Sequence, residues 1–164
     1  MGADLSKVSL LARREIEAGI AGPLIKAFME EFGREKTLEI AGRVIRTLAR
    51  ESGAQLAKMM GGNSLEHFAK AGERMGQDKA LEQEILEQSP ARLSVNTTRC
   101  RYAEMYRELG IPELGTLLSC GRDFAMIEGF NPGIRLTRTQ TLMEGAKYCD
   151  FRFQLEQDEG SQGS

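Results

Sequence analysis

Within the stretch LLSCGRDF, Leu117 to Phe124, a thiol, a guanidinium and a carboxylate stand close together: Cys120, Arg122 and Asp123. If the segment is helical, stepping about 100° per residue puts Leu114, Leu117, Leu118, Gly121 and Ala125 on one side. Thr116, Cys120, Asp123 and Ile127 then fall together beside that apolar stripe, with Cys120 and Asp123 neighbours at i and i+3. A thiol on the border of an apolar face, beside a carboxylate, suits a pocket lining. To act as a nucleophile it must become a thiolate, and Asp123 works against that, so a positive charge such as Arg99 or Arg101 has to help. The plainer reading is a small buried hydrophobe, the usual role of a free cysteine.

Further polar groups crowd the segment VNTTRCRYAEMY. Asn96, Thr98, Arg99, Arg101 and Glu104 could meet a small polar ligand there, an arginine fork being a natural partner for a carboxylate. Arg101 and Glu104 could equally form a surface pair of little worth. Arg135 and Arg138 alternate to opposite faces of a strand-like run, and spacing does not choose between pocket and surface for either. His67 is the only histidine and sits in a mostly polar helical stretch, so acid–base work falls to carboxylates. Cys100, Cys120 and Cys149 with His67 contain no short chelating pair, a weak pattern for zinc, and no metal is expected.

The elements that must position these groups change character along the chain. Up to about residue 90 the apolar spacing predicts helices. One runs from Val8 to Phe32 and is kinked or split at Pro23; a second runs from Glu35 to about Ser52 and is ended by Gly53. A short continuation over Ala54–Met60 closes at Gly61-Gly62, and another helix follows Asn63 or Ser64. Asp78 to Glu87 reads as a further charged helix with Leu81, Ile85 and Leu86 inside. After Pro90, ARLSVNTTRC alternates as a strand and RYAEMYRELG returns to helix, and Pro112 opens the helix that carries Cys120. Glu128 lies on that helix's apolar stripe, with Gly129 as its stop. IRLTRTQTLM and CDFRFQL alternate again, joined through EGAKY as a hairpin. The predicted fold is α+β: a helical N-terminal half followed by a small antiparallel sheet of three or more strands packed against helices. One domain is expected over residues 1–155, with a flexible polar tail over 156–164.

Composition narrows the function classes. The chain has 164 residues, 41% hydrophobic and 28% charged, a balance that suits one core. Trp is absent, so Leu, Ile, Met and Ala must fill most of that core. A net charge of -2 argues against a nucleic-acid surface. No apolar run approaches the roughly 20 residues of a membrane span, and the N-terminus does not read as a signal peptide. Three widely spaced cysteines fit a reducing compartment, hence a cytoplasmic location. The expected partner is a small-molecule substrate, with no nucleic acid and no membrane; a homo-oligomer is left open.

Two long segments resemble a known family. CRYAEMYRELGIPELGTLLSCGRDFAMIEGFNPGIRLTRTQTLMEGAKYCDFRF, Cys100 to Phe153, is similar to the L-2-amino-thiazoline-4-carboxylic acid hydrolases. So is RREIEAGIAGPLIKAFMEEFGREKTLEIAGRVI, Arg13 to Ile45. The motifs SCGRDFA, GFNPGIRLTRTQT and CDFRF carry the likeness best. Family members often have a histidine before the Cys-Asp-Phe motif, where this chain has Tyr148. The ending Gly145-x3-Cys149-x-Phe151 is also similar to the closing motif of vinyl-reductase-type small-molecule-binding domains, which implies a ligand pocket between helices and sheet. The resemblance implies a cofactor-free bacterial hydrolase on a route to L-cysteine. It would open a thiazoline ring by adding water at C2 and breaking the C–S bond, to give N-carbamoyl-L-cysteine. It implies attack on C2 by Cys120, sulfur suiting the soft amidine carbon, with activation of water by Asp123 as the alternative, and Arg99 or Arg101 on the ring carboxylate and Glu104 or Asn96 on the amino group. A non-catalytic binding domain, or a hydrolase of another cyclic amidine, isothiourea or hydantoin-like ring, is the competing expectation.

Overall fold

A computed structural model describes residues 8–75 and 79–156. Helix α1 spans Leu10–Phe32, and the Ser9 hydroxyl caps it by accepting from the Ala12 N–H at 3.1 Å. It runs through Pro23 without a break. The burial of Ala18, Gly22 and Ile25 along one side holds the turns on either side of the proline. Gly33, with φ at 89°, makes a one-residue turn into α2, Arg34–Met60. The Thr37 hydroxyl donates to the Phe28 carbonyl at 3.1 Å, so the chain folds back sharply there. Helix α2 is continuous to Met60, past the expected stop at Gly53, and ends at Gly61 in the left-handed region.

Gly53 serves packing instead. A Cβ on it would come within 1.9 Å of the Met126 carbonyl, and one on Gly129 within 1.9 Å of the Arg50 carbonyl. Two glycines thus let α2 touch α6, Arg122–Phe130, backbone to backbone. Gly129 lies inside α6 rather than stopping it. Glu128, placed by the sequence on the apolar stripe, is exposed and pairs with Arg50 at 2.8 Å.

The segment read as a charged fourth helix is a strand. β1, Leu81–Gln88, pairs antiparallel with β2, Arg92–Cys100. All but its first residue are exposed, so polar groups on both faces hid the two-residue period. β2 pairs with β4, Cys149–Leu155, which pairs with β3, Ile134–Thr137, giving the order β1-β2-β4-β3. The inner face presents Leu93, Val95, Leu136 and Phe153 to Leu65 of α3 (Leu65–Met75) and to Ile127 and Phe130 of α6. A second core gathers Ala18 and Ile25 of α1, Ala103, Met105 and Tyr106 of α4 (Arg101–Glu108) and Leu114 of α5 (Pro112–Gly115). The fold class is α+β, with helices on the inner side of an antiparallel sheet. The expected tail lies almost entirely outside the described residues, as does Asp78.

β3 is shorter than the alternation in IRLTRTQTLM suggests. Asp150 accepts from the Thr139 and Gln140 N–H groups at 2.9 Å each and from the Thr139 hydroxyl at 2.6 Å, pulling the chain out of the ladder. A short 3₁₀ turn, Leu142–Glu144, follows and ends at Gly145, φ 94°.

Candidate active site

The helix expected from Pro112 through Cys120 is not uniform. After α5 the chain widens into a π-turn, Thr116–Cys120, closed by the Gly121 N–H on the Thr116 carbonyl at 2.7 Å. Such turns leave carbonyls without partners in the α-helical pattern and cluster at functional sites. The Cys120 carbonyl accepts instead from Arg138 Nη2 at 3.1 Å. One turn on, Asp123 Oδ2 takes Arg138 Nη1 at 2.5 Å.

Arg138 comes from the loop after β3, and its side chain is only 7% exposed. Its guanidinium lies 5.1 Å from the ring centre of Phe124 on α6 and 5.2 Å from that of Phe151 on β4. A cation held between two rings and bonded at both ends has one geometry available. Asp123, by contrast, keeps a third of its side chain open to solvent. Its Oδ2 is held in place by the Arg138 guanidinium.

The three thiols, far apart in sequence, lie close enough to Asp123 to feel its charge. Cys120 is half-buried as the last residue of the π-turn, Cys100 ends β2, and Cys149 starts β4 and accepts the Leu142 N–H at 3.2 Å. Burial pushes the Cys120 thiol up to about 12, and Asp123 adds to the effect more than Arg138 relieves it. Cys100 and Cys149 are also raised, chiefly by burial. Burial drives Asp123 up to about 6 although Arg138 pulls the other way. At neutral pH the set is therefore three protonated thiols around one ionised carboxylate whose affinity for a proton is well above that of an ordinary aspartate.

The structure brings Cys120 and Asp123 together and turns the other sequence candidates elsewhere. Arg99 is exposed; its Nε lies 2.8 Å from Glu104 and its Nη1 3.2 Å from Glu82 of β1. These groups already satisfy one another. Asn96 accepts from Arg152 at 2.9 Å on the outer sheet face, and Arg101 is exposed. The positive charge acting on Cys120 is Arg138, where the sequence offered Arg99 or Arg101. Nothing in the spacing marked Arg138, because its reach depends on where Asp150 ends the strand. Arg122 is half-buried and close enough to Asp123 to influence its charge. His67 is engaged with Ser64, Oγ to Nδ1 2.6 Å, at the start of α3. Among the described residues no group of three or more His, Cys, Asp or Glu side chains is arranged to hold a metal.

Two surface hollows, about 260 and 420 Å³, lie elsewhere: one on the outer sheet face by Arg92 and Arg135, the other between α3 and the β1–β2 turn. Neither includes Cys120 or Asp123.

A family model for L-2-amino-thiazoline-4-carboxylic acid hydrolases matches residues 13–153, which span both cores and the whole Cys120–Asp123–Arg138 arrangement. The chain belongs to that family. No curated protein matches the thiazoline hydrolase-family chain in sequence. Its fold is similar to a solved structure, the phenol-responsive sensory domain of the transcription activator PoxR with phenol. The two share 11% identity and a TM-score of 0.54, over 84% of this chain and 74% of that one. At that identity the likeness establishes shared architecture.

Proposed function

We propose that this member of the family opens a small cyclic amidine or thiazoline ring by direct attack of water, with Asp123 as the base. The observation that supports this reading is Asp123, whose side chain is a third exposed and whose carboxylate is clamped by Arg138 and pushed up to about 6 by burial. A base of that strength is ionised at neutral pH yet takes a proton readily, the property general-base catalysis needs. Water bound to Asp123 gives it a proton and adds to the amidine carbon. The tetrahedral carbon then expels sulfur, the C–S bond breaks, and the proton passes from Asp123 to the leaving thiolate. The ring nitrogen takes up the C=N electron pair as water adds and then receives the added hydroxyl's proton, leaving that oxygen as the urea carbonyl, so water is consumed and a free thiol appears. Cys120, protonated because burial and Asp123 hold it near 12, lines the site as a neutral thiol. A substrate carboxylate would meet Arg122, which has no ion pair among the described residues.

The test is release of free thiol from 2-amino-thiazoline-4-carboxylate. Asp123→Asn is expected to slow turnover by about 10²–10⁴-fold, the usual contribution of a positioned base. Cys120→Ser should keep most of it. The reverse pattern would make sulfur the nucleophile. A second reading, ligand binding without turnover, draws support from the architecture shared with a sensory domain. It predicts a melting-temperature shift with the thiazoline and no new thiol.

A further inference from the structure

Helix α1 leaves an unusual surface bare. Ile16, Ile20, Leu24, Phe28 and Phe32 recur every fourth residue and are 48–65% exposed. On α2, Ile40, Val44 and Leu48 repeat the spacing and are also exposed. Each of these eight large apolar side chains is 44–65% exposed, a concentration along two neighbouring helices beyond the singly scattered apolar residues of an ordinary surface. Residues 1–7 and 157–164 carry only Met1, Ala3 and Leu5 as apolar side chains, too few to cover it.

We infer that this face is the contact between two copies of the chain, related by a twofold axis near Leu24. The surface carries both halves of its own complement. Beside the ridge of large side chains runs a parallel row of small exposed ones, Gly19, Pro23 and Ala27, and a Cβ added at Gly19 meets nothing within 4 Å. A ridge and a groove with the same four-residue pitch interlock with an antiparallel copy at a crossing of about 50°. Leu24 then sits at the axis and Ile20 meets the partner's Phe28. The ends of each ridge pass toward the row on the partner's α2. Charge argues against a lipid surface as the occupant. Between Glu17 and Glu30 the only charged side chain is Lys26, and it turns to the Gly110 carbonyl and Glu113. The flanks mix both signs, Arg13, Arg14, Glu15 and Glu17 on one side and Glu30, Glu31, Arg34, Glu35 and Lys36 on the other, with Arg14 paired to Glu17, so they lack the cationic excess of a helix lying on lipid.

Sedimentation velocity across the micromolar range tests the proposal. The wild type should run at twice the 18.2 kDa of the chain. Leu24→Glu places a charge at the axis, and Gly19→Leu fills the groove without touching the rest of its own chain. Each should weaken association by more than about tenfold, the size of a central interface residue's effect, with an unchanged far-ultraviolet spectrum. If Leu24→Glu fails to fold, Gly19→Leu still decides. A wild type that stays monomeric, with or without binding to phosphatidylglycerol vesicles, overturns the inference. So does a dimer that survives both substitutions.

Discussion

Asp123 shows how burial can raise a carboxylate's proton affinity even while an arginine touches it. Removing water from around the group costs its charged form more than one hydrogen-bonded guanidinium returns. If Asp123 is the base, kcat/KM should rise with pH through about 6, the limb reporting ionisation of the free enzyme's carboxylate. Stability should move the other way. An acid whose folded pKa is raised binds more protons folded than unfolded, so its ionisation destabilises the fold as pH climbs from about 4 to 6. Denaturant unfolding of wild type against Asp123→Asn should show the wild type losing ground across that window and a constant difference above it. Asp150 runs opposite. Burial raises it, but the Thr139 and Gln140 donors outweigh burial and hold it below the usual carboxylate range. Its contribution is present at neutral pH and lost in acid. The thiols give a third check: all three are raised, so iodoacetamide at pH 7.5 should label the native protein far more slowly than it labels free cysteine. One fast-reacting thiol would return sulfur to the centre of the mechanism.

Asp123 and Arg138 meet because two elements end where they do. The π-turn before α6 sets the rotation at which Asp123 emerges, and the Asp150 clamp on residues 139 and 140 frees Arg138 from the ladder. The position of α6 itself depends on the glycine contact with α2. Gly53→Ala would gain about 1 kcal/mol of helix propensity but push a methyl into a backbone carbonyl. Overpacking of that kind costs about 1–3 kcal/mol or more, so net destabilisation is expected, measured by urea unfolding. Gly129→Ala should behave alike, and both should impair turnover by displacing α6. A substitution at Gly19, where the space is open, should not destabilise the fold.

Across the whole molecule the helical and sheet halves are joined by one aromatic seam. Phe68 of α3 packs against Phe130 of α6 at 5.3 Å between ring centres and against Phe153 of β4 at 4.9 Å. Phe153 stacks on Phe151, which in turn faces Arg138. The core that holds sheet to helices thus continues into the wall of the site. Phe130→Ala should cost about 3–5 kcal/mol, a large part of a typical domain's stability, and the loss is read directly from the urea midpoint. Among the described residues no helix is long and apolar enough to cross a membrane, and the apolar face of α1 is broken by charge at both ends.

Patterns that repeat along the chain were legible in the sequence. The α+β order, the pairing of Cys120 with Asp123, the inner face of β2 and β4, and the family all rest on local spacing or on linear motifs. What local spacing could not carry is anything that depends on a distant partner. β1 has no buried face of its own, and only pairing with β2 makes it a strand. Gly53 and Gly129 look like helix stops until another backbone is seen to occupy the space their missing side chains leave. Arg138 looked like one more strand residue. The tertiary structure alone puts it between two rings and against Asp123, because a charge pair is set by where side chains meet in space, and a separation of 15 positions carries no period that encodes the meeting.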